Sequence, residues 1–329
     1  IEKQSNSRSK TINTMEDKIK DAEDEMEPQE NGASLENKLL LPASIVAAAV
    51  ILAGTWMYVT GKIVLPERTG GASSLARDAE REEKVLPSGG AELPVRWGDL
   101  GAKMIASGVI DAEQFEALYE SRGGMDGEAK ALLYGKDNGN LKITRENAGT
   151  VLNLLWAFGL GNKNDILEKG PMADPEFGGA GVFASTGGWT LAEGDAMNHY
   201  SMHKFVALTT DQQALVERVA QGVYRPCCGN STYFPDCNHG MAMLGLLELM
   251  ASQGVLEDEM YRVALAVNSY WFPDTYLTVA KYLEQSGVAW KDADPRQVLG
   301  YDFSSAAGYS NVLSKTQPQG FQGGGGCGV

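Results

Sequence analysis

Cysteine and histidine are scarce in this 329-residue chain, with four of the first and three of the second. Positive charge is short as well: 28 Lys and Arg against 43 Asp and Glu leave a formal net charge of −15. That balance argues against nucleic acid as a partner, because phosphate must be neutralised by Lys and Arg. The acidic surplus is mainly a matter of solubility, with a mild long-range attraction for cations. β-type runs are few and helical periodicity dominates, so the expected class is mainly α. Apolar residues are not lacking: at 43% they are enough for the middle of the chain to fill a core.

Charge is absent from one long run. Residues 39–59, LLLPASIVAAAVILAGTWMYV, form 21 positions without a charged side chain. At 1.5 Å per residue such a helix covers roughly the 30 Å of a hydrocarbon core. Pro42 stands in the first turn, and Trp56 and Tyr58 sit at one end, where aromatic rings favour the interface. The expected arrangement is a single-pass signal anchor, with the large C-terminal part outside the cytoplasm. Before it, residues 1–38 carry ten acidic and six basic side chains and no aromatics, the composition of a disordered tail. After it, residues 60–92 are polar and read as a linker. A helical globular domain is expected over 93–314, followed by a flexible Gly-rich tail at 315–329.

Within the domain the pattern predicts helices over 97–107, 112–121, 145–158, 195–208, 211–221, 238–252, 258–270 and 274–285. Met104-Ile-Ala-Ser-Gly108 and Met250-Ala-Ser-Gln-Gly-Val255 are alike, suggesting either two related helix–Gly turn–helix units or shared capping grammar. Residues 159–194 are Gly-rich and aperiodic, an irregular segment of unusual length.

The few cysteines and histidines are not scattered. All three histidines and three of the four cysteines fall between His199 and His239, in the order His199, His203, Cys227, Cys228, Cys237, His239. These side chains suit soft or borderline metals and thiol redox chemistry. His199 and His203 are four apart on an expected helix, so both rings leave one face. Tyr200 stands where the zinc-protease His-Glu-x-x-His pattern has its general base, so no protease is inferred. The second half, Tyr224-Arg-Pro-Cys-Cys-Gly-Asn-Ser-Thr-Tyr-Phe-Pro-Asp-Cys-Asn-His, is a turn-rich loop ending at an apolar helix. Asp236 or Asn238 is expected to cap that helix. Cys237 then lies in or beside the first turn, where free N–H groups and the dipole favour a thiolate.

Three uses fit these residues. In the first, Cys228, Cys237 and His239 with His199 or His203 bind copper or zinc, and Cys227 is a further ligand. In the second, Cys228 and Cys237 form a disulfide that stabilises a surface scaffold. In the third, Cys237 is the nucleophile or reactive thiol of a thiol-dependent enzyme or redox protein. Adjacent Cys227 and Cys228 cannot both point the same way from an extended chain. Glu248, inside the apolar helix, either orients a histidine or emerges at the solvent edge. Asn230-Ser-Thr fits a glycosylation acceptor in a secreted chain, and Cys327 lies idle in the tail. The combined expectation is a membrane-anchored, extracytoplasmic helical domain for binding, storing or delivering copper or zinc. Whether it is also an enzyme, and which protein partners it has, the residues leave open.

Overall fold

Helices make up most of the described residues, and one two-stranded sheet interrupts them. The structure, a computed structural model, describes residues 69–320. Helix α1 (Thr69–Val85) leads into strand β1 (Ala91–Gly98). Three short helices, α2 (Leu100–Ala106), α3 (Ala112–Glu120) and α4 (Gly127–Tyr134), separate it from β2 (Asn138–Ile143). The apolar helix α5 (Ala148–Gly161) and the single turn α6 (Asp165–Lys169) follow. After an irregular stretch come α7 (Thr210–Gly222), α8 (Asn238–Ser252), α9 (Glu257–Trp271) and α10 (Pro273–Gln285). The described part closes with α11 (Pro295–Leu299), α12 (Tyr301–Ser304) and α13 (Ala306–Lys315).

The mainly helical class is as expected. The acidic tail at 1–38 and the span at 39–59 lie outside the described residues, as does the end of the Gly-rich tail with Cys327. Among the described residues no helix is long and apolar enough to cross a membrane. Part of the segment expected as a linker is structured, since α1 and the start of β1 fall within 60–92. Arg81 on α1 is buried, and its guanidinium donates to Asp78, Glu284 and Gln319. A charged run therefore packs here through paired ions, where composition alone suggests solvation.

Helices α5 and α8 form the centre because neither has a polar face. Every residue of α5 except Gly149 is buried, and α8 is buried from His239 to Ala251. A helix apolar all round must lie inside the protein. Glycines let the two backbones meet: a Cβ at Gly159 would stand 2.2 Å from the Met241 carbonyl oxygen, and one at Gly245 2.6 Å from that of Leu155. Gly159→Ala is accordingly expected to destabilise the fold by ~1–3 kcal/mol through overpacking, read as a lower urea midpoint. An unchanged midpoint would show that the helices can separate without loss.

The two-stranded antiparallel sheet pairs Ala91 with Ile143 and Gly98 with Asn138. Its signal is the alternation of Leu93, Val95 and Trp97, all buried, with exposed neighbours. Trp97 thus ends a strand, and the helix expected at 97–107 begins only at Leu100. Gly108 and Gly254 both adopt left-handed φ, of 78° and 77°, closing α2 and α8 with the same turn. The chain likeness around them includes the same capping chemistry at these two turns.

The helix expected at 195–208 does not form. Asp195 caps only a short turn, and Ser201 adopts a left-handed φ of 55°. The reason lies at the end of α5, whose last carbonyls lack intrahelical donors. Ser201 N–H donates to the Leu160 oxygen at 2.8 Å and His203 N–H to that of Gly161 at 2.9 Å. The segment satisfies its neighbour's backbone in place of its own.

Candidate metal centre

The loop between α7 and α8 is pinned on several sides. Tyr224 pairs with Ser231, and its N–H donates to the Leu299 oxygen at 2.8 Å. The Cys228 carbonyl accepts from Ala306 N–H at 2.9 Å, tying the loop to the start of α13. On the Gly-rich side, Ser185 N–H donates to the Asp236 oxygen at 3.2 Å, and Phe177 and Phe183 pack on Phe234. The irregular segment is therefore a cover for this loop.

Inside the loop, Cys227, Cys228 and Cys237 bring their sulfurs within 4.8 Å of one another. Zn–S bonds of about 2.3 Å set tetrahedral thiolates about 3.8 Å apart, so this spacing fits one shared ion. The chain turns at Pro226–Cys227, which lets the two adjacent cysteines face one point despite the constraint on an extended strand. The three cysteines are free thiols, Cys227 exposed and the other two half-buried. The disulfide expected between Cys228 and Cys237 is not formed, and the Cys227 and Cys237 sulfurs are 3.5 Å apart.

Cys237 itself caps α8. Its sulfur accepts from Gly240 N–H at 3.4 Å, the role expected of Asp236 or Asn238. A fully buried guanidinium, Arg225, completes the surroundings. Its Nε donates to Cys237 Sγ at 3.0 Å, Nη1 to the Asn230 carbonyl at 3.1 Å, and Nη2 to the Phe234 carbonyl at 2.9 Å and to Asp236. Asn230 donates to the other Asp236 oxygen at 2.8 Å. With Asn230 so engaged and Thr232 fully buried, the Asn-Ser-Thr triplet serves the loop's architecture and is a poor glycosylation acceptor.

These contacts hold the Cys237 thiol far below its ordinary range. Hydrogen bonds from Cys227 and Cys228 contribute most, and His239 and the Arg225 charge add to them against the cost of burial. Cys227 moves the opposite way, because it keeps the proton that it shares with its neighbours. The arrangement favours a thiolate at Cys237 through a neighbouring cation and thiol donors, and the three sulfurs could hold a metal ion.

His239 stands beside Cys237, with its ring 4.4 Å from that of Phe272. Its Nε2 is buried without a hydrogen-bond partner. His199 and His203 are not in the sulfur group. They face each other, Nδ1 to Nε2 at 3.2 Å, with His199 Nε2 3.1 Å from the Glu193 carbonyl and His203 stacked on Phe205. Burial first, and then the charge of His199, lowers the His203 pKa.

Glu248 is fully buried and touches no histidine; Asn162 donates to its Oε2 at 2.5 Å. Burial raises its pKa well above 4.5, against the opposing hydrogen bonds of Asn162 and Asn164. A raised folded pKa means that its stabilising contribution is complete below 4.5 and is lost as pH climbs through the folded value. Glu248→Gln, which keeps the Asn162 bond, should flatten this slope and melt higher than the wild type at neutral pH. Parallel melting curves at every pH would show that Glu248 carries no such cost.

Arg225, Asp236 and Asn230 are the site residues that spacing alone does not reveal as a group. Their only sequence signal is proximity to the cysteines in a loop bounded by prolines. No protein-family model, curated protein or solved structure matches this chain.

Proposed function

We propose that this protein binds a thiophilic transition-metal ion, Cu(I) or zinc, through Cys227, Cys228 and Cys237, and stores or delivers it at a membrane surface. The observation that carries this reading is the convergence of three free sulfurs within 4.8 Å at the start of a buried helix. Thiolate donors select soft and borderline ions, and three of them suit trigonal Cu(I) or a zinc site with one further position. His239 lies outside the group of converging donors, and its buried Nε2 has no hydrogen-bond partner. Arg225 offsets the negative charge that accumulates as the thiols deprotonate.

The proposed tether is the 21-residue charge-free run at 39–59, with the domain outside the cytoplasm. The test of binding is titration of the metal-free full chain with zinc, and separately with Cu(I), against a competing chelator under reducing conditions. One equivalent should bind, be lost in Cys228→Ser, and persist in the His199→Ala/His203→Ala double variant. Loss in the histidine variant with retention in the cysteine variant would move the site away from the loop. Deleting 39–59 should transfer the chain from the membrane fraction to the supernatant, and an unchanged distribution would remove the tether.

A further inference from the structure

The structure assigns a second chemistry to two of these sulfurs: Cys227 and Cys237 form a reversible dithiol–disulfide couple that exchanges with small-molecule disulfides. Three observations support it. The Cys227 and Cys237 sulfurs are 3.5 Å apart, close enough to bond after a small movement. Cys227 is exposed, so a disulfide from solution can reach it, whereas Cys237 is the inner partner. Cys237 Sγ also receives Arg225 Nε–H at 3.0 Å and Gly240 N–H at 3.4 Å, donors that stabilise a sulfur anion whether it attacks or departs. Cys228, whose sulfur lies within 4.8 Å of the other two, also donates to the Asn230 carbonyl and to Asp236 Oδ1, each at 3.8 Å, and we assign it no part in the bridge.

The exchange balances without any further reagent. Cys227 passes its proton to the Cys237 thiolate and attacks one sulfur of a disulfide R–S–S–R, forming Cys227–S–S–R and releasing RS⁻, which takes that proton from Cys237. Cys237, again a thiolate, then attacks Cys227 Sγ, forming the Cys227–Cys237 bond and releasing the second RS⁻. One protein thiol and one thiolate are oxidised by two electrons, the small disulfide is reduced to a thiol and a thiolate, and the single proton leaves with them. Excess thiol reverses both steps. Because the same sulfurs are ligands in the proposed metal site, oxidation would remove two of its three donors and expel the ion. Only that last consequence rests on the metal reading, because the couple stands on the geometry of the free thiols.

The experiment treats the metal-free full chain, carrying Cys327→Ser to silence the tail thiol, with oxidised glutathione, and maps the products by mass spectrometry after chymotryptic cleavage. An intramolecular disulfide joining Cys227 to Cys237 is expected, formed equally in the Cys228→Ser variant and replaced by a persistent glutathione adduct on Cys227 in Cys237→Ser. A bridge that uses Cys228, or a Cys228→Ser variant that stops at mixed adducts, would overturn the assignment. Repeating the reaction after loading with zinc separates the two proposals. Protection of the thiols supports their shared use, whereas unhindered oxidation leaves the couple intact and counts against the metal site.

Discussion

Cys237→Ser should abolish metal binding while leaving the fold nearly as stable as the wild type. The separation follows from the two jobs of this side chain. As cap of α8 its sulfur accepts the Gly240 N–H, and a serine hydroxyl does the same at least as well. As ligand, its thiolate is held by Arg225 and its two cysteine neighbours, and serine stays protonated there. The loss of affinity should therefore exceed the ~10–100-fold that follows removal of an outer hydrogen-bond partner. Competition with a chromophoric chelator gives the affinity, and urea denaturation the stability. Cys237→Ala removes the cap as well, and should cost a further ~1 kcal/mol of stability. Unchanged affinity in the serine variant would remove Cys237 from the ligand set.

Arg225→Met is expected to be among the most destabilising single changes in the domain. It leaves the Asp236 carboxylate, the Cys237 sulfur and the Asn230 and Phe234 carbonyls without their shared donor. Breaking a buried ion pair from one side costs ~3–5 kcal/mol, and for a domain of this size that lowers Tm by roughly 10 °C. Arg225→Lys should recover only part, because an ammonium cannot reproduce the planar fork that spans four acceptors. Adding Asp236→Asn to Arg225→Met should restore some of the loss, since the orphaned charge is then gone and the two effects are coupled. Calorimetric melting of the single and double variants checks both statements. Strictly additive losses would mean that Arg225 and Asp236 act independently.

What the sequence revealed follows the strength of each physical signal. Helix α8 is found over 238–252, as read, because its run of Met, Ala, Leu and Gly has no competing interpretation and a turn-rich loop ends where it begins. The cysteine cluster was visible because so few other cysteines and histidines surround it. The histidine pair sits on a different scaffold from the one its spacing predicts. Spacing of four predicts a shared helix face, but the backbone of Ser201 and His203 is drawn to the open carbonyls of α5, and the rings meet across a turn. Glu248 was expected to orient a histidine or to reach solvent, yet its carboxyl is sealed against Asn162, a partner 86 positions away in the chain. Arg225 is hidden in the sequence for a similar reason. An arginine in a loop normally reads as solvated, and only the folded chain shows three acceptors from 230–236 and the Cys237 sulfur closing around it.

The most direct test of the thiolate site is X-ray absorption at the metal edge of the full chain loaded with one equivalent of zinc or Cu(I). Three sulfurs at about 2.3 Å in the zinc form, with at most one nitrogen, and a sulfur shell that disappears in Cys228→Ser, is the result this account predicts. A shell of nitrogen and oxygen without sulfur, or a sulfur number that Cys228→Ser does not change, would contradict it.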